Sequence, residues 1–301
     1  MRIAACITTR NRTPELDACL SALWRSSVPP FSVIVSDDSL EPATRAKNQT
    51  IVEQYPGTTY LVGPRRGVCA NRNNAVNAVT EAEFVAFVDD DICVEPEFIA
   101  IALAKYEQMQ PAQRQHTIVS GITKTQHGQE IGPTKLSFRG YFCSTDTPEA
   151  VNIHAAVFPR EFFQVEQWDE NIFFGYEDAE LCLRALKRQY HILFYPELKA
   201  LHTCYEQGTL AVNTAHGLTN YQIHVESARL YVGVKRYAML SPNPVKLVAF
   251  LGVYFTHMTL YLSKHRAINA LPEILKRSHI LAAFGKGSAT TLPPIAPTAP
   301  H

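Results

Sequence analysis

The stretch FVAFVDDDICVEP at residues 84–96 limits what this chain can fold into more than any other. Its first five residues, 84–88, are all apolar, with two aromatic and two β-branched side chains, so they predict a strand buried on both faces of a sheet. Three consecutive carboxylates, Asp89, Asp90 and Asp91, follow at the carboxyl end of that strand. In open α/β sheets this is the edge where ligands bind, and three adjacent negative charges repel unless a cation or hydrogen-bond donors neutralise them. A hard divalent ion is one natural partner. A solvated turn ahead of a helix near Pro96 is the competing reading.

The rest of the first hundred residues repeats this pattern. An apolar run at 3–9 precedes a helix start at Thr13 and Pro14, with Leu16, Leu20 and Leu23 on one face. FSVIVS at 31–36 reads as a second buried strand that stops at Asp37, Asp38 and Ser39; a polar helix at about 41–55 and a short strand at 60–62 come next. A glycine-flanked basic turn then leads through GPRRGVCANRNNAVNAV into another helix. Such alternation predicts a doubly wound α/β sheet with crossovers on both faces, and it sets Thr8 to Asn11, Asp37 to Ser39 and the Asp89 triplet along one edge. With 301 residues and 46% apolar content the chain can bury one large core or two smaller ones.

In this order ITTRNR, VIVSDDS, RGVCANRNNAV, FVAFVDDD and WDENIFFGYEDAELCLR resemble the family-2 glycosyltransferases of the GT-A fold over about residues 1–205. The resemblance implies a mixed doubly wound sheet and an inverting, metal-dependent, hexosyltransferase-type transfer from a nucleoside-diphosphate sugar, UDP-, GDP- or TDP-linked, to a hydroxyl acceptor. Cell-surface polysaccharide or glycolipid synthesis is the implied setting. It places Asp38 on the nucleobase with Thr9 lining the same pocket, Asp89 near the ribose with Asp90 assisting, and Asp91 on Mg²⁺ or Mn²⁺ at the diphosphate. Arg72, beside Asn73, matches a segment that meets the diphosphate or the base; a solvent-exposed basic turn that pairs with the Asp cluster without touching substrate is the competing reading. Asp178 matches the general base that deprotonates the acceptor, and Glu177 helps shape the acceptor pocket. His202, after the Tyr195-Pro196 strand, matches a further metal ligand, which favours Mn²⁺. The other histidines carry no implied role. A sugar nucleotidylyltransferase is disfavoured because TTRNR stands where its Gly-rich phosphate loop belongs; a non-catalytic nucleotide-sugar or glycan binder of the same fold is the alternative.

Residues 1–220 are expected to form the transferase domain, with 1–115 as the nucleotide-sugar half and a β-rich 116–220 as the acceptor half. Residues 221–286 read as a basic, apolar helical extension and 287–301 as a disordered tail. Basic and acidic residues balance at 28 each, which excludes a nucleic-acid-type charge excess, yet residues 221–301 hold nine basic and two acidic residues. Positive apolar helices suit an anionic membrane surface; a cap on the catalytic domain or a dimer contact are the competing readings. The apolar stretch at 247–262 is sixteen residues, short of a membrane span. No signal peptide is evident at the start, and seven cysteines without paired spacing suit a reducing cytoplasm, with the extension at the inner face of the cell membrane.

Overall fold

The computed structural model describes residues 1–203 and 208–284; the expected disordered tail lies outside them. The described residues form eleven strands: β1 (Ile3–Thr9), β2 (Ser32–Asp37), β3 (Thr58–Val62), β4 (Phe84–Asp89), β5 (Ile92–Val94), β6 (Thr117–Thr125), β7 (Glu130–Ile131), β8 (Lys135–Leu136), β9 (Phe142–Cys143), β10 (Ala156–Pro159) and β11 (His191–His202). The helices of the first half are α1 (Thr13–Trp24), α2 (Pro42–Val52), α3 (Val68–Asn77), α4 (Phe98–Glu107) and α5 (Pro111–Arg114). They are followed by α6 (Phe162–Val165), α7 (Glu177–Lys187), α8 (Asn220–Lys235), α9 (Pro244–Lys264) and α10 (Leu271–Arg277).

The main sheet runs β3-β2-β1-β4-β10-β6-β11-β5, with β7 added to β6. Its first four strands are parallel, as the βα alternation predicts. β10 enters antiparallel between β4 and β6, and β5 pairs antiparallel with β11, so the sheet is mixed.

Alternate residues of the central strands feed two separate cores. Ala4, Cys6, Val85 and Phe87 join the cluster that also holds α3 and α7, whereas Ile3, Ala5, Ile7, Phe84, Ala86 and Val88 face Leu16, Leu20 and Leu23 of α1. That two-sided burial is why β4 needs an unbroken apolar run, each Val or Phe contributing roughly 1.5–3 kcal/mol. β11 is interrupted by a register shift between Phe194 and Lys199, where Pro196 falls, and resumes to end at His202.

The helices after residue 220 share the α7-side core: Ile223, Leu230 and Val234 of α8 and Phe250, Tyr254, Met258 and Leu262 of α9 belong to it. The basic excess there is partly consumed inside the molecule. Arg229 pairs with Glu226 at 2.6 Å, Arg236 with Glu149 at 2.9 Å and Arg277 with Glu273 at 2.7 Å. Lys235 reaches Asp169 at 2.5 Å and the fully buried Glu180 at 2.6 Å. α9 is also longer than the sixteen-residue stretch suggests. Capped by Asn243 and carrying Pro at its start, it covers 21 residues, roughly 31 Å at 1.5 Å per residue, and is long and apolar enough to cross a membrane by length and composition.

Candidate active site

The carboxyl ends of β1, β2 and β4 meet because the strands are parallel and in register. Thr8 lies opposite Ser36 on one side and Asp89 on the other, and Thr9 opposite Asp37. Side chains of successive residues therefore interlock. Thr8 Oγ1 donates to Asp89 Oδ1 at 3.0 Å and Thr9 Oγ1 to Asp90 Oδ2 at 2.7 Å. Thr9, expected to line the base pocket, thus spends its hydroxyl on the acidic triplet.

Two arginines and two histidines contact the triplet. The buried guanidinium of Arg72, 2% exposed, puts Nη2 3.1 Å from both oxygens of Asp89, and His154 Nε2 stands 3.1 Å from Asp89 Oδ2. Arg12 Nη1 lies 2.5 Å from Asp91 and 3.3 Å from Asp90, while His202 Nε2 lies 3.3 Å from Asp91. Burial alone would raise all three acids. For Asp89 the charges of Arg72 and His154 more than offset it, and its carboxyl is held well below the usual range; the same contact raises His154. Asp91 is lowered by His202 and Arg12 against burial and Asp89. Asp90, buried beside Asp91, is pushed up to about 7 despite its bonds from Thr9 and Arg12.

Asp38 sits apart on β2's exit. Its Oδ1 accepts from the Arg65 backbone N–H at 2.8 Å, and burial, only partly offset by that bond, pushes it up to about 6. Capping α2 is not its role: the cap position is Glu41, without a side-chain bond. The structural acid there is Asp37, fully buried and satisfied by Ser39 N–H, Asn48 and Tyr60. Gly63 keeps Asp38 in place, since a Cβ there would stand 2.2 Å from Asp38 Oδ1.

The second acidic group begins α7. Gly175 and Tyr176 both take positive φ, 84° and 63°, and for a tyrosine that conformation is costly. Phe142 stacks on the Tyr176 ring at 4.7 Å and holds the turn. Glu177 then accepts from Arg72 Nη1 at 3.0 Å, and its Oε2 is buried without a hydrogen-bond partner. Among the described residues Asp178 accepts only the Ala179 N–H, at 2.7 Å. Burial and the neighbouring Glu177 charge push Asp178 up to about 7, with Arg72 and His154 pulling the other way.

The two groups therefore form one site. The path Asp89–Arg72–Glu177 joins the end of β4 to the start of α7, and Arg72, stacked over Trp168 at 4.8 Å, is its rigid link. Both forks of Arg72 are taken by carboxylates, Asp89 and Glu177, and its burial rules out the solvent-exposed turn of the competing reading. His154 and Arg12 are site residues that sequence reasoning did not assign. Arg12 stands inside the quoted TTRNR motif; nothing near His154 in sequence signals its role.

As a metal site, Asp91 and His202 offer one carboxylate oxygen and one imidazole nitrogen within contact of each other. Among the described residues no group of three or more His, Cys, Asp or Glu forms a ready cage. That donor set fits an ion completed by substrate phosphate oxygens and water, the usual arrangement for Mg²⁺ or Mn²⁺ on a diphosphate. Arg12 supplies positive charge on the same Asp91 oxygen.

No curated protein matches the chain significantly. Solved structures do. S. aureus TarS superposes with a TM-score of 0.58 at 16% identity over 94% of this chain and 50% of that one, so the chain spans half the length of that structure. A 1–349 form of TarS in complex with UDP-GlcNAc gives 0.56 at 18% identity, covering 92% of this chain and 82% of that one. The mannosyltransferase PcManGT from Pyrobaculum calidifontis, in complex with GDP-Man and Mn²⁺, gives 0.56 at 15% identity over 94% and 85%. At these identities the likeness establishes the GT-A fold expected from the motifs. The profile described as Glycosyl transferase family 2 matches residues 4–164, more than half of the sequence, and the chain belongs to that family.

Proposed function

We propose that this transferase moves a sugar from a nucleoside-diphosphate sugar to a hydroxyl acceptor with inversion, Asp178 acting as general base. The observation that carries the reading is a contrast between the two ends of the site: among the described residues Asp178 accepts only a backbone N–H, whereas each acid of the triplet contacts an arginine or a histidine side chain. A base poised near neutrality takes the proton of an acceptor hydroxyl efficiently. As that proton moves to Asp178, the acceptor oxygen bonds to the anomeric carbon, and the bond to the diphosphate oxygen breaks on the opposite face.

Asp38 and the Arg65 turn face the nucleobase in this reading, and Asp91 with His202 holds Mg²⁺ or Mn²⁺. The ion, when bound, neutralises charge on the departing diphosphate. Arg72 and His154 keep Asp89 ionised and oriented. On the acceptor side the exposed Phe142, backed by Tyr176, offers an aromatic plane to the apolar face of a sugar ring. A glycan or lipid-linked hydroxyl acceptor suits that surface, consistent with a role in polysaccharide or glycolipid synthesis.

The test is turnover across UDP-, GDP- and TDP-sugars with and without Mn²⁺, for the natural chain and for Asp178→Asn. The variant should lose about 10²- to 10⁴-fold in rate while calorimetry finds nucleotide affinity unchanged. Full turnover by Asp178→Asn, or no turnover by the natural chain with any donor, would overturn the assignment.

A further inference from the structure

The ion pairs within the C-terminal region leave several basic residues outside them, and three of these flank α9. Lys246 stands at the start of the helix, and Lys264 and Arg266 at its end; all three are exposed and make no ion pair among the described residues. α9 itself contains no acidic residue.

The helix is apolar on two sides. Phe250, Tyr254, Met258 and Leu262 are buried against the transferase core, and the Phe250 ring lies so close to α8 that a Cβ on Gly233 would meet it at 2.1 Å. The opposite side should then be polar, as on any surface helix. It is not. Val245, Val248 and Leu260 are 77%, 71% and 67% exposed, and Val253 is exposed between them. At 100° per residue they share one stripe.

Two of the stripe's three polar members ask nothing of water; the third, the exposed Ser263, stands at its end beside Lys264. Thr256 donates its hydroxyl to the Gly252 carbonyl at 2.8 Å, and Thr259 to the Phe255 carbonyl at 2.8 Å. Threonines bonded back into their own helix tolerate an apolar medium. An uncharged face about 30 Å long with cations at both ends matches a lipid boundary with anionic headgroups.

We propose that the outward face of α9 docks on an anionic lipid surface, the helix lying in the plane of the headgroup region. Spanning is a different arrangement, which would require Phe250, Tyr254, Met258 and Leu262 to leave the core. The contact also reaches the acceptor side: Tyr141 Oη lies 3.3 Å from His257 Nδ1 of α9, and its neighbour Phe142 stacks on Tyr176, two residues before Asp178. One consequence rests on the transferase reading, namely that a membrane-carried acceptor would meet the site from this side.

The test is co-sedimentation of the full chain with vesicles of phosphatidylcholine alone or mixed with phosphatidylglycerol, with no donor sugar present, so that it stands or falls independently of catalysis. Binding should be at least about tenfold tighter to the mixed vesicles, as expected for three basic residues near a charged surface, and should weaken with added salt. Val248→Asp/Leu260→Asp should lose about tenfold or more of that binding with an unchanged helical circular-dichroism spectrum, since both sites are exposed. Lys264→Glu/Arg266→Glu should erase the preference for anionic lipid. Failure of the natural chain to sediment with mixed vesicles, or equal sedimentation of Val248→Asp/Leu260→Asp, overturns the proposal. So does a chain that forms dimers, separated by Val248→Asp/Leu260→Asp, without binding vesicles, because the face then belongs to a second copy.

Discussion

The two acidic ends of the site are built from the same side chain and behave oppositely. At the end of β4, Asp89 is gripped by Arg72 and His154 and held well below the ordinary carboxylate range. At the start of α7, Asp178 is pushed up to about 7 by burial and by Glu177. Arg72 touches both neighbourhoods, yet its forks go to Asp89 and Glu177 and bypass Asp178. The guanidinium of Arg72 lowers the carboxyl it grips at the end of β4, while burial raises the one it bypasses at the start of α7. In the proposed reaction one end meets the cation and the diphosphate, and the other accepts a proton.

After Asp178→Asn itself, the largest effect should come from removing the shared link. Arg72→Ala leaves Asp89 and Glu177 facing each other across a buried gap, and breaking a buried pair of this kind costs about 3–5 kcal/mol; urea unfolding would read it, and a loss under about 1 kcal/mol would show that the two ends are not coupled through this residue. Next comes pH. As the proposed base, Asp178 would work only when ionised, so the rate should climb as pH rises through about 7, and Glu177→Gln, by removing the adjacent negative charge, should move that limb to lower pH. Stability runs the other way. A carboxyl whose folded pKa is raised from about 3.9 contributes its full stability below the unfolded value and loses it as pH rises through the folded one. Asp178→Asn should therefore be more stable than the natural chain above pH 7; equal stability across that range would place the raised pKa elsewhere. The smallest effect concerns Arg12. Its charge on Asp91 competes with a divalent ion, so Arg12→Gln should bind Mn²⁺ more tightly in the absence of nucleotide, by electron paramagnetic resonance titration, and weaker binding would make Arg12 a support for the metal site.

Much of this could be read before the fold was known, and the reasons are local. An apolar run of period one feeding into acids marks a central parallel strand, and β4 follows it through Val88 to Asp89. A helix stripe at Leu181 and Ala185 puts Glu177 and Asp178 in the first turn, where α7 has them. What escaped are contacts that no spacing encodes. His154 reaches Asp89 from a short 3₁₀ turn, Ile153–Ala155, that leads into β10, 65 residues away. Arg72 could be placed on a helix start, but not aimed: only the packing of Trp168 beneath it turns its fork inward. The two-faced character of α9 was hidden for the same reason, since hydropathy counts apolar residues without saying which of them the core already covers.

Lys235 has a consequence for how this enzyme could be cut or recombined. Its ammonium comes from α8, yet the charges it answers, Asp169 and Glu180, belong to the segment around the proposed base. A fragment ending at the apparent close of the catalytic fold would leave Asp169 without its cation and the buried Glu180 with Arg184 alone. Any chimera that grafts the sheet onto a foreign C-terminal module must therefore import an equivalent positive group at the same spot.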